Sequence, residues 1–89
     1  MRFDWNDAKS EANEAKHGIS FPDAVSLWDD PCMMVVTVRR NGEERKVALS
    51  RGLGACWFLV YTVDADLVRI ISVRRATRNE EAAYDRENS

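Results

Sequence analysis

Residues 33–74, MMVVTVRRNGEERKVALSRGLGACWFLVYTVDADLVRIISVR, carry the reading that decides the fold. From Met33 the hydrophobic period becomes two, the spacing of β-strands. Met33 to Arg39 and Glu44 to Ser50 flank Arg40-Asn41-Gly42-Glu43, and Asn-Gly is a strong hairpin signal because both residues tolerate positive φ. After a break at Gly52-Leu53-Gly54, Ala55 to Val63 is a nearly continuous apolar strand, and Asp64-Ala65-Asp66 turns it into Leu67 to Arg74. Large apolar groups on both faces, such as Phe58 with Leu59 and Ile70 with Ile71, predict central positions for these later strands. The first pair is expected to be more exposed.

The flanks read as helices. Residues 6 to 17 form a short helix, with Asn6 or Asp7 as N-cap and Gly18 as the C′ stop. Its Ala8, Ala12 and Ala15 make a small-residue stripe expected to lie against the sheet. Lys9, Asn13 and Lys16, with His17 at the end, then face solvent or a ligand. Ser20-Phe21-Pro22-Asp23 opens a second helix whose Phe21, Ala24, Val25 and Trp28 face the core, and Asp29-Asp30-Pro31 ends it. Thr77-Arg78-Asn79-Glu80 fits a capping box and opens a last helix through about Arg86. The expected fold is α+β: two N-terminal helices, a four-stranded antiparallel sheet and a C-terminal helix.

Eighty-nine residues suit one domain over 1–89. With 45% hydrophobic and 31% charged residues the chain should fold and be soluble. No apolar run approaches the roughly 18 residues of a membrane helix. The start, Met1-Arg2-Phe3-Asp4-Trp5, has no apolar signal-peptide region, so a cytoplasmic chain is expected. Two cysteines, Cys32 and Cys56, and one histidine, His17, give no material for a zinc framework, and no metal or cofactor is expected. Both thiols are read as buried and reduced.

The net charge of −2 conceals a split. Residues 39 to 78 hold nine basic side chains, eight of them arginine, against Glu43, Glu44, Asp64 and Asp66; the rest of the chain has four basic and eleven acidic residues. Guanidinium groups match phosphate with a planar fork of donors. Composition alone leaves two readings: a phosphate-bearing partner on the central segment, or solvated strand ends. A plain DNA-binding helix is disfavoured, because the first helix sets Lys9 and Lys16 against Asp7, Glu11 and Glu14.

Three stretches resemble one family. Asp4-Trp5-Asn6-Asp7-Ala8-Lys9 with Asn13, then Lys16-His17-Gly18-Ile19-Ser20-Phe21, resembles the opening of BrnT-type toxins, with Asn6 where aspartate is usual. Ala24 and Asp29-Asp30-Pro31 continue it. Arg69-Ile70-Ile71-Ser72-Val73-Arg74-Arg75-Ala76-Thr77, then Glu80 and Tyr84, resembles that family's ending, with Val73 for alanine and Arg75 where lysine is common. The resemblance implies a RelE-like toxin of a type II toxin-antitoxin system, acting as a metal-independent endoribonuclease that inhibits translation. It further implies a BrnA-type antitoxin with a ribbon-helix-helix part, a heterotetramer, and repression of the shared operator DNA.

Cleaving RNA without a metal requires the ribose 2′-OH to attack the neighbouring phosphorus, with proton acceptor, proton donor and cations around the pentacoordinate phosphate. A two-histidine pair is impossible here. Arg69, Arg74 and Arg75 are the candidate phosphate cations, and strand alternation sets Arg69 and Arg75 on one face with Arg74 on the other. Arg45 joins the same patch from the second hairpin strand. Glu80 either accepts a proton or caps its helix. Tyr84, one turn on, either contacts RNA or belongs to the core. Lys9, Lys16 and His17 either steer RNA or, for His17, answer the helix dipole. Asn13 is read as a bridge from helix to sheet, and Trp28, Trp57 and Phe58 as core. The alternative from another class is a non-catalytic module that binds only antitoxin and operator.

Overall fold

A computed structural model describes residues 1–89. The chain starts as a strand, β1 (Arg2–Asp4), and continues through α1 (Asp7–His17), α2 (Phe21–Ala24) and a 3-10 turn at Val25–Asp29. Then come β2 (Met34–Arg40), β3 (Glu43–Gly52), β4 (Ala55–Asp64), β5 (Leu67–Arg75) and α3 (Arg78–Glu87). The sheet order is β1-β5-β4-β3-β2, with β1 parallel to β5 and the other pairs antiparallel. This corrects the expected RelE-like layout of two N-terminal helices over four antiparallel strands. The sheet is five-stranded and mixed, because Arg2, Phe3 and Asp4 pair with Leu67, Val68 and Arg69 before the first helix begins. The expected second helix also shrinks to one turn before tightening into 3-10 geometry. The α+β class stands.

The meander follows its turn residues. Asn41 and Gly42 take positive φ (52° and 76°), as a two-residue turn matching strand twist requires. At the start of α1 the Asn6 side chain accepts from the Lys9 N–H, and at its end Gly18 closes the helix at φ 77°. Thr77 and Glu80 form the reciprocal capping box of α3.

Helices α1 and α2 cover one sheet face, where Ile19, Phe21, Ala24 and Leu27 pack with Ala48, Trp57, Leu59, Tyr61, Val68, Ile70 and Val73. The stripe of α1 that turns inward is not the alanines. Ala8, Ala12 and Ala15 are exposed, whereas Ser10 and Asn13 are buried. Hydrogen bonding explains the reversal. The Ser10 hydroxyl accepts from the Phe21 N–H, and Asn13 Nδ2 donates to the carbonyls of Ile19 (2.9 Å) and Val73 (2.8 Å). Asn13 Oδ1 in turn accepts from the Val73 N–H. Strand β1 ends at the Asp4–Arg69 pair, so beyond it the edge of β5 has no neighbouring strand. The Asn13 amide serves as one there. The cysteine expectation is half corrected: both thiols are free, Cys56 is buried, and Cys32 is exposed.

Removing the Asn13 amide leaves the buried Val73 groups unpartnered, at a cost of about 2–3 kcal/mol. Asn13→Ala is expected to lower the melting temperature by roughly 10 °C. A thermal melt matching the wild type would show that the bridge contributes nothing.

Candidate functional site

The site depends on which side chains share a sheet face. Directly opposed residues of paired strands point the same way. In the β4–β5 pair Tyr61 faces Ile70 but Val60 faces Ser72, so Ile71 is the extra residue of a β-bulge. That residue shifts the alternation of β5 by one. Thr62 pairs with Arg69, Phe58 with Arg74, and Trp57 with Arg75. Arg69 and Arg74 therefore share the face opposite α1 and α2, and Arg75 lies on the helix-covered face. This reverses the assignment that unbroken alternation gives.

The face bearing Arg69 and Arg74 also carries Arg40, Arg45, Val47, Leu49, Phe58, Val60 and Ser72, by the registers of β2 to β5. A cleft of about 320 Å³ opens there between Val38, Arg40, Asn41, Glu43, Arg45, Val47 and Val60. Helix α3 covers the opposite end of this face. Its Glu80 takes Arg74 in a two-pronged hydrogen bond (Nη1–Oε1 2.8 Å, Nη2–Oε2 3.0 Å), and the guanidinium carbon stands 4.0 Å from the Phe58 ring centre. Glu80 also accepts from the Thr77 N–H. The hydrogen bonds from Arg74, working against burial and helped by Thr77, hold the Glu80 carboxyl below its usual range. Glu80 thus both caps α3 and fixes Arg74.

Tyr84 is buried, and its hydroxyl donates to Asp30 Oδ2 at 2.7 Å. Burial and that hydrogen bond push the phenol above its ordinary pKa. Asp30 also accepts from the backbone N–H groups of Cys32 and Arg51. Burial raises its pKa, but the Arg51, Tyr84 and Cys32 hydrogen bonds outweigh it, so the carboxyl stays ionised to lower pH than usual. Arg51 bridges Glu81 (2.7 Å) and Asp85 (3.1 Å) and stands over the Tyr84 ring. Arg51 and Asp30 are the residues that sequence reading missed. Asp29-Asp30-Pro31 signalled only a helix end, and the one available hint to Arg51 was its place among the central arginines.

The remaining candidates divide by face. Arg69 is ion-paired to Asp4 across the β1–β5 pair. Arg45 stands 3.7 Å from Glu43. Arg75 lies on the other face, 5.6 Å from the Trp57 ring centre. Lys9 and Lys16 are exposed on α1, and His17 is half-buried in its last turn beside the helix C-terminus. The structure brings Arg45, Arg69, Arg74, Glu80 and Tyr84 to one side of the sheet and leaves Arg75, Lys9, Lys16 and His17 on the helix side. Trp57 is buried and Trp28 packs on the core, as expected, while Phe58 is only half-buried and forms a floor for Arg74. No three His, Cys, Asp or Glu side chains come together as a metal-holding group.

Fold and site together define a small α+β protein whose open sheet face carries several arginines over an apolar floor, a surface suited to a polyanion. Residues 5–80 match the family described as the ribonuclease toxin BrnT of type II toxin-antitoxin systems. The chain belongs to that family, whose members are ribonuclease toxins with an antitoxin partner. Among curated proteins no sequence matches the chain.

Because the folded-state pKa of Glu80 is depressed, its contribution to stability is full above about 4.3, the ordinary glutamate value, and fades as pH falls through the lower folded value. Glu80→Gln is expected to lower the melting temperature at pH 7 and to flatten its decline between roughly pH 5 and 3. Melting curves parallel to the wild type across that window would exclude this linkage.

Proposed function

We propose that the chain cleaves RNA without a metal ion, by attack of the ribose 2′-OH on the adjacent phosphorus, on the open face of the sheet. The carrying observation is that Arg45, Arg69 and Arg74 share that face, with Phe58, Val47 and Val60 between them. A guanidinium held in place before the substrate arrives stabilises charge on a pentacoordinate phosphate without reorganising. Arg74 fits this description best: Glu80 fixes its plane, Phe58 supports it, and donors not used by Glu80 remain for phosphate oxygens.

In this reading Glu80 and Tyr84 act as positioning residues. The Glu80 carboxylate is occupied by Arg74 and Thr77, and the Tyr84 hydroxyl by Asp30. Arg69 and Arg45 hold flanking phosphates, and the apolar floor takes bases. Lys9, Lys16, His17 and Arg75 contact RNA only where it passes to the helix side. Cleavage of cellular RNA in the cytoplasm inhibits translation. A BrnA-type antitoxin with a ribbon-helix-helix part neutralises the chain by laying an acidic segment on the arginine face. A heterotetramer of the two would bind operator DNA through the antitoxin.

Purified protein is expected to degrade RNA in excess EDTA. Arg74→Ala should reduce the rate by at least about 100-fold. Arg75→Ala should reduce it by less than about 10-fold. Both variants should retain the wild-type circular dichroism spectrum. RNA left intact by micromolar wild type in EDTA would exclude metal-free catalysis and favour the pure binding module. A larger loss from Arg75→Ala than from Arg74→Ala would move the site to the helix side.

A further inference from the structure

The cationic face leaves one conspicuous feature unused, the outer edge of the sheet. Strand β2 is that edge: it pairs with β3 on one side and with nothing on the other. It is seven residues long, MVVTVRR, and its valines are solvent-exposed on both faces (Val35 48%, Val36 60%, Val38 44%). Long, apolar, unblocked edges are what soluble proteins usually avoid, because their free backbone groups template another strand. The edge is continuous with a second apolar feature. On the helix-side face, below the reach of α1 and α2, a groove of about 460 Å³ is walled by Trp28, Met33, Val35, Tyr61, Val63 and Val68. Val35 belongs to both.

Hairpin geometry fixes which backbone groups are free. Arg40 and Glu43 flank the two-residue turn and exchange hydrogen bonds, so Arg40, Val38 and Val36 point their backbone groups at β3. Val35, Thr37 and Arg39 point theirs outward. We infer that the antitoxin docks here by strand addition, an extended segment pairing with Val35, Thr37 and Arg39 and placing a large apolar side chain in the Trp28 groove. This rests on the antitoxin partnership of the family and is independent of where RNA is cut.

Charge and pattern identify the occupant. The edge runs from an apolar end at Met34 and Val35 to a basic end at Arg39 and Arg40. Arg39 is already paired with Glu44, whereas Arg40 has no carboxylate within ion-pair distance. The matching segment carries its apolar anchor at the Val35 end and a carboxylate at the Arg40 end. A second copy of β2 brings no carboxylate of its own and leaves Arg40 unanswered.

The test is amide hydrogen exchange on the toxin alone and in complex with its antitoxin. In the free protein the Val35, Thr37 and Arg39 amides should exchange quickly while those of Val36 and Val38 are protected. In the complex the three outward amides should slow by at least tenfold. Thr37→Pro removes an outward N–H together with the exposed hydroxyl that accepts from Lys46 Nζ, and Val35→Glu charges the groove. Each should weaken antitoxin binding by at least 100-fold while RNA cleavage and the melting temperature stay at wild-type values. Outward amides that exchange equally fast in the complex would overturn the inference. So would protection appearing in the free toxin together with a dimer in sedimentation, since the edge would then be occupied by a second copy. Loss of wild-type RNA cleavage, with the exchange pattern as expected, would count against the catalytic reading alone.

Discussion

One extra residue organises this molecule. Ile71 bulges out of β5 opposite the Val60–Tyr61 step, and every side chain after it changes face. Before the bulge Val68 and Ile70 face the helices; after it Val73 does, so the core stays continuous along the strand. The same shift puts Arg74 on the open face with Arg69, where α3 can fix it through Glu80. An unbroken strand would place Arg74 under the helix layer or turn Val73 out to solvent. The bulge reconciles a buried strand with a cationic surface.

Polar side chains then fasten the layers where apolar contact is thin. Asn13 ends the exposed edge of β5 by imitating a strand, which ties α1 to the sheet. Asp30 does the equivalent at the other end: two backbone N–H groups and the Tyr84 hydroxyl converge on one carboxylate, tying the end of the 3-10 turn to β3 and α3. Charge-assisted hydrogen bonds of this kind are stronger than neutral ones. They let a chain with only a modest core hold α3 over the arginine face.

Local signals were legible in the residues. Asn41-Gly42, the Thr77–Glu80 box, the Asn6 cap and the Gly18 stop all act within a few positions, and the hairpin turn, the start of α3 and both ends of α1 followed from them. Signals that need a distant partner were not. Strand β1 has three residues and exists only because β5 lies beside it. Ile70-Ile71 read as apolar groups on two faces, which hides a bulge completely. The alanine stripe looked like a packing surface, yet Ser10 and Asn13 won the inner face because backbone groups of Phe21, Ile19 and Val73 awaited them. At the site, Glu80 and Arg74 were legible as residues but not as a pair, and Asp30 and Arg51 acquire their roles only across 54 and 30 positions of chain.

The central claim is that RNA lies on the face that the bulge completes. Methyl NMR of the protein titrated with a 2′-O-methyl oligoribonucleotide, which cannot be cut, reads that face directly. Val36, Val47 and Val60 lie on it, and Val35 and Val63 lie on the opposite, helix-side face. Shifts confined to the first three methyl sets are the expected result. Shifts at Val35 and Val63, with Val47 and Val60 unmoved, would contradict it.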